Sequence, residues 1–324
     1  MPPLAGPPDP IMAFTAQPDP AYGAMQDWMA RWTELEAQLA ALLSAPRQYA
    51  DVLPRLERLR ADAEALLATD EDATLYWLFQ LAASTSVGYS TSHAMACWAM
   101  CRLVGPAVGV SAPDAVALER AALTMNIGMT RLQDTLAAQA HPPTEEQRAL
   151  IDTHAARGAQ CLRECGVRDA RWLDIVEQHH EADSDDTAVR LLQRMDRYTA
   201  LISPRETRPG RNLTDSARTL LVRPGGRLDD IGRALLQTLG ICPPGTFVRL
   251  ADGQVAVVLR RSGRPGEPWV SAVLDANGHP VLEPALIDTG DEATAIEAAL
   301  QTATVRVRLN HPRLLQLSRL ALQR

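Results

Sequence analysis

The sequence predicts a mainly α protein: a helical bundle with an N-terminal helical hairpin and a small C-terminal antiparallel β element. Three observations carry this. Apolar residues recur at helical spacing from about residue 24 to residue 203. The composition changes at an arginine-rich stretch, 205–227. Beyond it, VRL, VAVVL and WVSAVLD are β-rich and separated by the turn-forming stretches ADGQ, SGRPGEP and ANGH. At 324 residues the chain is long enough for two domains and a sizeable core.

In chain order, residues 1–20 are Pro-rich and read as a disordered tail. Residues 21–70 read as the hairpin. Trp28, Trp32, Leu35, Leu39 and Leu42 form one stripe, SAPR supplies a turn, and Pro54 starts a second run through Leu56, Leu59 and Leu66. Residues 71–205 read as one helical domain of about six helices. These are an apolar stretch over 74–104 with a Gly-containing break at 84–92, then 114–139, 144–165, 169–182 and 186–203. PPTEEQ, ahead of the 144–165 helix, is an N-terminal signature with acids in the first turn. Residues 206–324 read as a C-terminal region with a helix at 227–239, the small sheet, and a helix-like stretch at 305–324. No repeat of 20–50 residues is present.

The hydrophobic fraction of 46% with 22% charged residues is that of a globular protein. Arginine supplies all the side-chain cations, because the chain has no lysine, a bias expected of a GC-rich coding sequence. A net charge of −7 argues against a nucleic-acid partner. The two arginine-rich stretches, 205–227 and 305–324, read first as solvated faces, with a phosphate or an acidic partner as the functional alternative. No apolar run approaches the ~20 residues of a membrane span, and the start of the chain lacks the layout of a signal peptide. Five cysteines, an odd number, suggest reduced thiols and a cytoplasmic setting.

The chemistry-bearing candidates are His93, His154, His179, His180 and Asp196, spread over four predicted helices. Taken singly, each reads as a cap or a surface residue; together they could form a metal site if the helices converge. The adjacent pair in VEQHHEADSDD cannot enclose an ion alone, since helix neighbours point about 100° apart. His93, Cys97 and Cys101 share a helix face, but helical rise separates the outer two by ~12 Å, so these cysteines and the Cys161–Cys165 pair read as helix-core residues. There is no Walker loop, no GxSxG and no GxGxxG between a strand and a helix.

The succession of His93, TEEQRALIDTHAARGAQCL, HHE and MDRYTALISPR resembles the HD-GYP family, bacterial cyclic di-GMP phosphodiesterases of the HD superfamily. The resemblance covers about residues 74–205. PPGTFVRLADGQVAVV is also similar to the small β element that often follows the domain in that family. It implies an HD-type bundle whose metal ligands are His93, His154, His179, His180 and Asp196. The departures are specific. Where the family carries LLHDIGK, this chain has ERAALTMNIGMTRLQD, placing Met125 at the histidine, Asn126 at the bridging aspartate and Met129 at the lysine. Tyr89 stands where the family has an acid, and only fifteen residues without Gly-Tyr-Pro separate His180 from Asp196.

A thioether is a poor ligand for hard ions, and an amide carbonyl brings no charge to bridge two cations. The implied metal set is therefore vestigial or limited to one iron or manganese ion, and no residue is assigned as catalytic. The expectation is a catalytically impaired or inactive relative acting in bacterial signalling, binding a nucleotide such as cyclic di-GMP through Arg205, Arg208 and Arg211, or binding a signalling protein. The alternative is a working metal-dependent phosphohydrolase with a reduced, mono-metal site.

Overall fold

The structure is a computed structural model that describes residues 20–84, 88–181, 184–206, 209–221 and 229–323. The Pro-rich tail, apart from Pro20, and Arg208 lie outside the described residues. The hairpin forms as α1 (Pro20–Ser44) and α2 (Val52–Thr69). In α1 the residues Met25, Trp28, Trp32, Leu35, Leu39 and Leu42 are buried, so the stripe seen in the sequence is the packing face. Trp32 sets its ring 6.5 Å from that of Trp98, which ties the hairpin to the next layer.

The helical region continues as α3 (Glu71–Ser84), α4 (Tyr89–Val104), α5 (Ala112–Thr124), α6 (Thr130–Ala138), α7 (Glu145–Asp152), α8 (His154–Glu164), α9 (Ala170–Gln178) and α10 (Thr187–Ile202). The six helices expected are eight, because two of the long segments break. Residues 114–139 break at the turn around Asn126–Met129, and 144–165 break at Thr153, which caps α7. The Thr144–Gln147 capping box starts α7 where PPTEEQ predicted. Asp169 and Asp186 cap α9 and α10. Helix α4 is buried almost all round, as its apolar sequence requires, and α1, α3, α5, α6 and α10 pack about it.

Two further helices, α11 (Leu213–Leu221) and α12 (Asp230–Leu239), lead to a five-stranded antiparallel sheet of order β4-β3-β2-β1-β5. Its members are β1 (Phe247–Leu250), β2 (Val255–Arg260), β3 (Trp269–Leu274), β4 (Ile287–Asp288) and β5 (Ile296–Leu300). The first three are the strands that the sequence predicts. The other two are short or Ala-containing, and β5 earns its place by pairing with β1. The helix-like stretch 305–324 narrows to α13 (His311–Leu320).

Strand β2 is buried along its whole length. One face meets α3 and α13; the other joins Val248, Leu250 and Val270 in a second small core. The Arg260 guanidinium reaches Asp70 at 2.6 Å and Asp72 at 3.2 Å, while Arg261 bonds Glu71 at 2.8 Å and also Asp72. Gln80 donates to the Gly245 carbonyl, and the Tyr76 hydroxyl meets His311 Nδ1 at 2.9 Å. The sheet is thus locked onto the α2–α3 junction by charge as well as by apolar surface. Among the described residues, no helix is long and apolar enough to cross a membrane.

Candidate metal centre

The five predicted ligands form a close trio and a pair, with the Asp196 carboxylate of the pair near enough to act on the histidines of the trio. His154, His179 and His180 each present a ring nitrogen such that all three atoms lie within 4.8 Å of one another. His93 and Asp196 form a pair of their own, with Nε2 to Oδ1 at 2.8 Å.

The trio owes its convergence to helix ends. His154 opens α8 immediately after the Thr153 break. His179 is the C-cap of α9, and His180 follows in the turn. The expectation that adjacent histidines on a helix diverge by about 100° is therefore corrected: both have left regular helix, and their ring centroids are 4.1 Å apart. The position of His154 depends on the glycine four residues later. Gly158 and Gly128 let the 125–129 turn press against α8, so that an added Cβ on Gly128 would lie 2.4 Å from the His154 carbonyl oxygen. The His-x3-Gly step is thus a packing device that seats the turn beside the centre.

Hydrogen bonding fixes the tautomers. His154 Nδ1 and His179 Nδ1 face the carbonyl oxygens of Ile151 and Val176, the second at 2.7 Å. A carbonyl can only accept, so both Nδ1 atoms carry the proton and both Nε2 atoms carry lone pairs when the rings are neutral. Those two Nε2 atoms sit 3.3 Å apart. Burial, reinforced by the neighbouring His180, pushes the His179 pKa down to about 3, and burial also lowers that of His154. Neither ring gains a proton at neutral pH to relieve the facing lone pairs. A cation would relieve them, and Nδ1–H bonded to a backbone carbonyl is the usual support of a metal-ligating histidine. The three imidazoles fit one borderline ion such as zinc or ferrous iron.

The other group differs electrostatically. Burial opposes a charge on His93, yet the hydrogen-bonded Asp196 carboxylate outweighs burial and raises its pKa. Burial likewise works against the Asp196 anion, but the hydrogen bond from His93 and the nearby histidines hold its carboxyl well below the usual range. The result is a buried ion pair bridging α4 and α10.

Tyr89 stacks on His93 with ring centroids 5.6 Å apart and an interplanar angle of 20°. Arg205 lies over the ring of Tyr89, its guanidinium carbon 5.3 Å from the ring centroid, and donates to the tyrosine hydroxyl at 3.1 Å. Arg211 does not join it: its guanidinium reaches Thr219 on α11 and its backbone N–H bonds Leu201. Met125 is fully buried, and the buried Asn126 Oδ1 has no hydrogen-bond partner among the described residues. Sequence reasoning marked Tyr89 only as a missing acid. Its contacts with both Arg205 and His93 had no signal in the spacing.

The chain is similar to a cyclic di-GMP phosphodiesterase of Pseudomonas aeruginosa, 28% identical over 222 residues. That similarity covers 64% of this chain and 53% of the relative, so the chain spans about half the length of the curated protein it matches. No family model matches the chain, and no solved structure does. The similarity supports a relationship to phosphodiesterases.

Proposed function

We propose that this chain is a catalytically impaired HD-GYP-type relative of the cyclic di-GMP phosphodiesterases that acts in bacterial signalling by binding a nucleotide. The observation that carries the reading is the pairing of Asp196 with His93 beside the histidine trio. The histidine trio retains a place for one ion, while His93 and Asp196 neutralise each other and positions 125 and 126 bring no charge.

Hydrolysis of a phosphodiester at a metal centre needs an activated water and cationic stabilisation of the phosphoryl oxygens, which a bound ion supplies. In this chain, His154 and His179 hold lone pairs toward the ion position and His180 closes the third side. Met125 offers only a buried thioether, and Asn126 a neutral carbonyl oxygen, where a carboxylate would bridge two cations. Arg205, held on Tyr89, offers a guanidinium to a phosphate at the edge of the centre. Arg211 turns instead to Thr219 on α11, and Arg208 lies outside the described residues.

A second reading, a working mono-metal phosphohydrolase, is favoured by the facing Nε2 atoms of His154 and His179, which are prepared for an ion. Metal analysis of the purified chain, paired with a cyclic di-GMP hydrolysis assay in added manganese or ferrous iron, separates the two. The impaired reading expects binding without turnover. Turnover that is lost in His179→Ala would establish the second reading instead.

A further inference from the structure

The same turn that carries Asn126 also forms one wall of a groove that the metal centre does not use. The groove encloses about 860 Å³ between the end of α1 with the short turn after it, residues 127–132, and the flank of α8. None of the three clustered histidines lines it. Ala156 and Gln160, which do, sit about 200–240° round α8 from His154, while Arg157 and Cys161 lie within about 60° of it, so the groove borders the trio without including it.

Its chemistry is two-sided. Leu43, Ile127, Met129, Leu132 and Leu150 give an apolar floor, and Leu150 is 39% exposed, a large apolar side chain left uncovered. Arg47, Arg131 and Arg157 supply cations from three separate elements, and among the described residues no carboxylate lines the groove. Arg47 is paired with Glu164 outside it. Among the described residues, Arg131 and Arg157 are exposed and have no ion-pair partner. In a chain of net charge −7, a carboxylate-free depression with three guanidinium groups selects anions. The volume falls within the ~300–1,000 Å³ of small-molecule sites.

We infer that this groove is a second ligand site, taking a nucleoside phosphate whose ring system lies on the Met129–Leu150 floor and whose phosphate is held by Arg131 and Arg157. Arginine suits that task because its planar fork matches phosphate oxygens in pairs. The apolar floor takes the flat base, which neither inorganic phosphate nor a purely acidic peptide provides. This site goes beyond the reading of the histidine centre and does not depend on it.

The test is calorimetric titration of the full chain with 5′-GMP and 5′-AMP, with inorganic phosphate and guanosine as fragments and an oligoglutamate peptide as competitor. The expected result is saturable nucleotide binding, at least about tenfold tighter than either fragment and weakened by salt. R131A/R157A removes two exposed, unpaired side chains and leaves the fold intact; it is expected to weaken nucleotide binding by about tenfold or more. The nucleotide binding that R131A/R157A weakens is expected to persist in His179→Ala, where metal binding is lost; its loss in His179→Ala would assign the nucleotide to the histidine centre and overturn the inference. Absence of nucleotide binding at about millimolar concentration, or equal affinity in R131A/R157A, overturns the inference. Arginine-dependent binding of oligoglutamate without nucleotide binding overturns it in favour of a protein partner.

Discussion

Gly128→Ala probes the link between packing and the metal centre. The added Cβ would lie 2.4 Å from the His154 carbonyl oxygen and 2.7 Å from the Gly158 amide nitrogen. Both obstacles are backbone, so no rotamer change relieves them; the turn and α8 must separate by roughly 1 Å to reach ordinary van der Waals distance. Gly128 does not have a positive φ, so the cost is steric and not conformational. Overpacking of this kind costs about 1–3 kcal/mol, a loss of about 2–6 °C in melting temperature for a chain of this size. Because His154 belongs to the displaced backbone, affinity for zinc or ferrous iron should fall by about tenfold. Gly23→Ala is the matched control: it lies near the start of α1 with nothing among the described residues within 4 Å of the added atom, so it should be neutral or stabilising by up to about 1 kcal/mol. The assay is thermal melting of both variants with and without metal, beside a metal titration. A Gly128→Ala protein that melts with the wild type and binds metal equally would refute the argument.

Further outcomes follow from other parts of the fold. Arg260→Met leaves the buried Asp70 without its main partner and should cost about 3–5 kcal/mol in denaturant unfolding, with much of the loss recovered when Asp70→Asn and Asp72→Asn are added. Burial lowers the His311 pKa to about 4 from an ordinary 6.5, so the neutral ring is the folded form. Its contribution is complete above pH 6.5 and is lost as pH falls toward 4, by up to about 3 kcal/mol, and His311→Gln should flatten stability against pH in that window. Met125→His with Asn126→Asp restores the charged pair that the resemblance lacks; cyclic di-GMP hydrolysis should become measurable in the double variant where the wild type shows none. Tyr89→Ala removes the platform beneath Arg205 and should weaken cyclic di-GMP binding by about tenfold while leaving metal content unchanged.

The sequence revealed the helical stripes and the three aromatic- or valine-rich strands, because each follows from local periodicity. The breaks at 125–129 and at Thr153 were hidden because helix-forming residues continue on both sides of each, and β5 required its long-range partner β1 to be recognised as a strand. At the centre, residue types were legible and grouping was not. His93, His154, His179, His180 and Asp196 read as one set, yet placement at helix ends draws three together while the carboxylate captures the fourth histidine. Arg205 and Arg211, six positions apart, diverge because one stacks on Tyr89 and the other bonds α11. The groove arginines lie in three distant segments, so no linear motif could announce them.

The most direct test measures metal content and cyclic di-GMP turnover on the same preparation of the full chain, beside His179→Ala. The account predicts about one ion per wild-type chain, none in His179→Ala, and no hydrolysis in either. Two ions per chain with sustained hydrolysis by the wild type would contradict it.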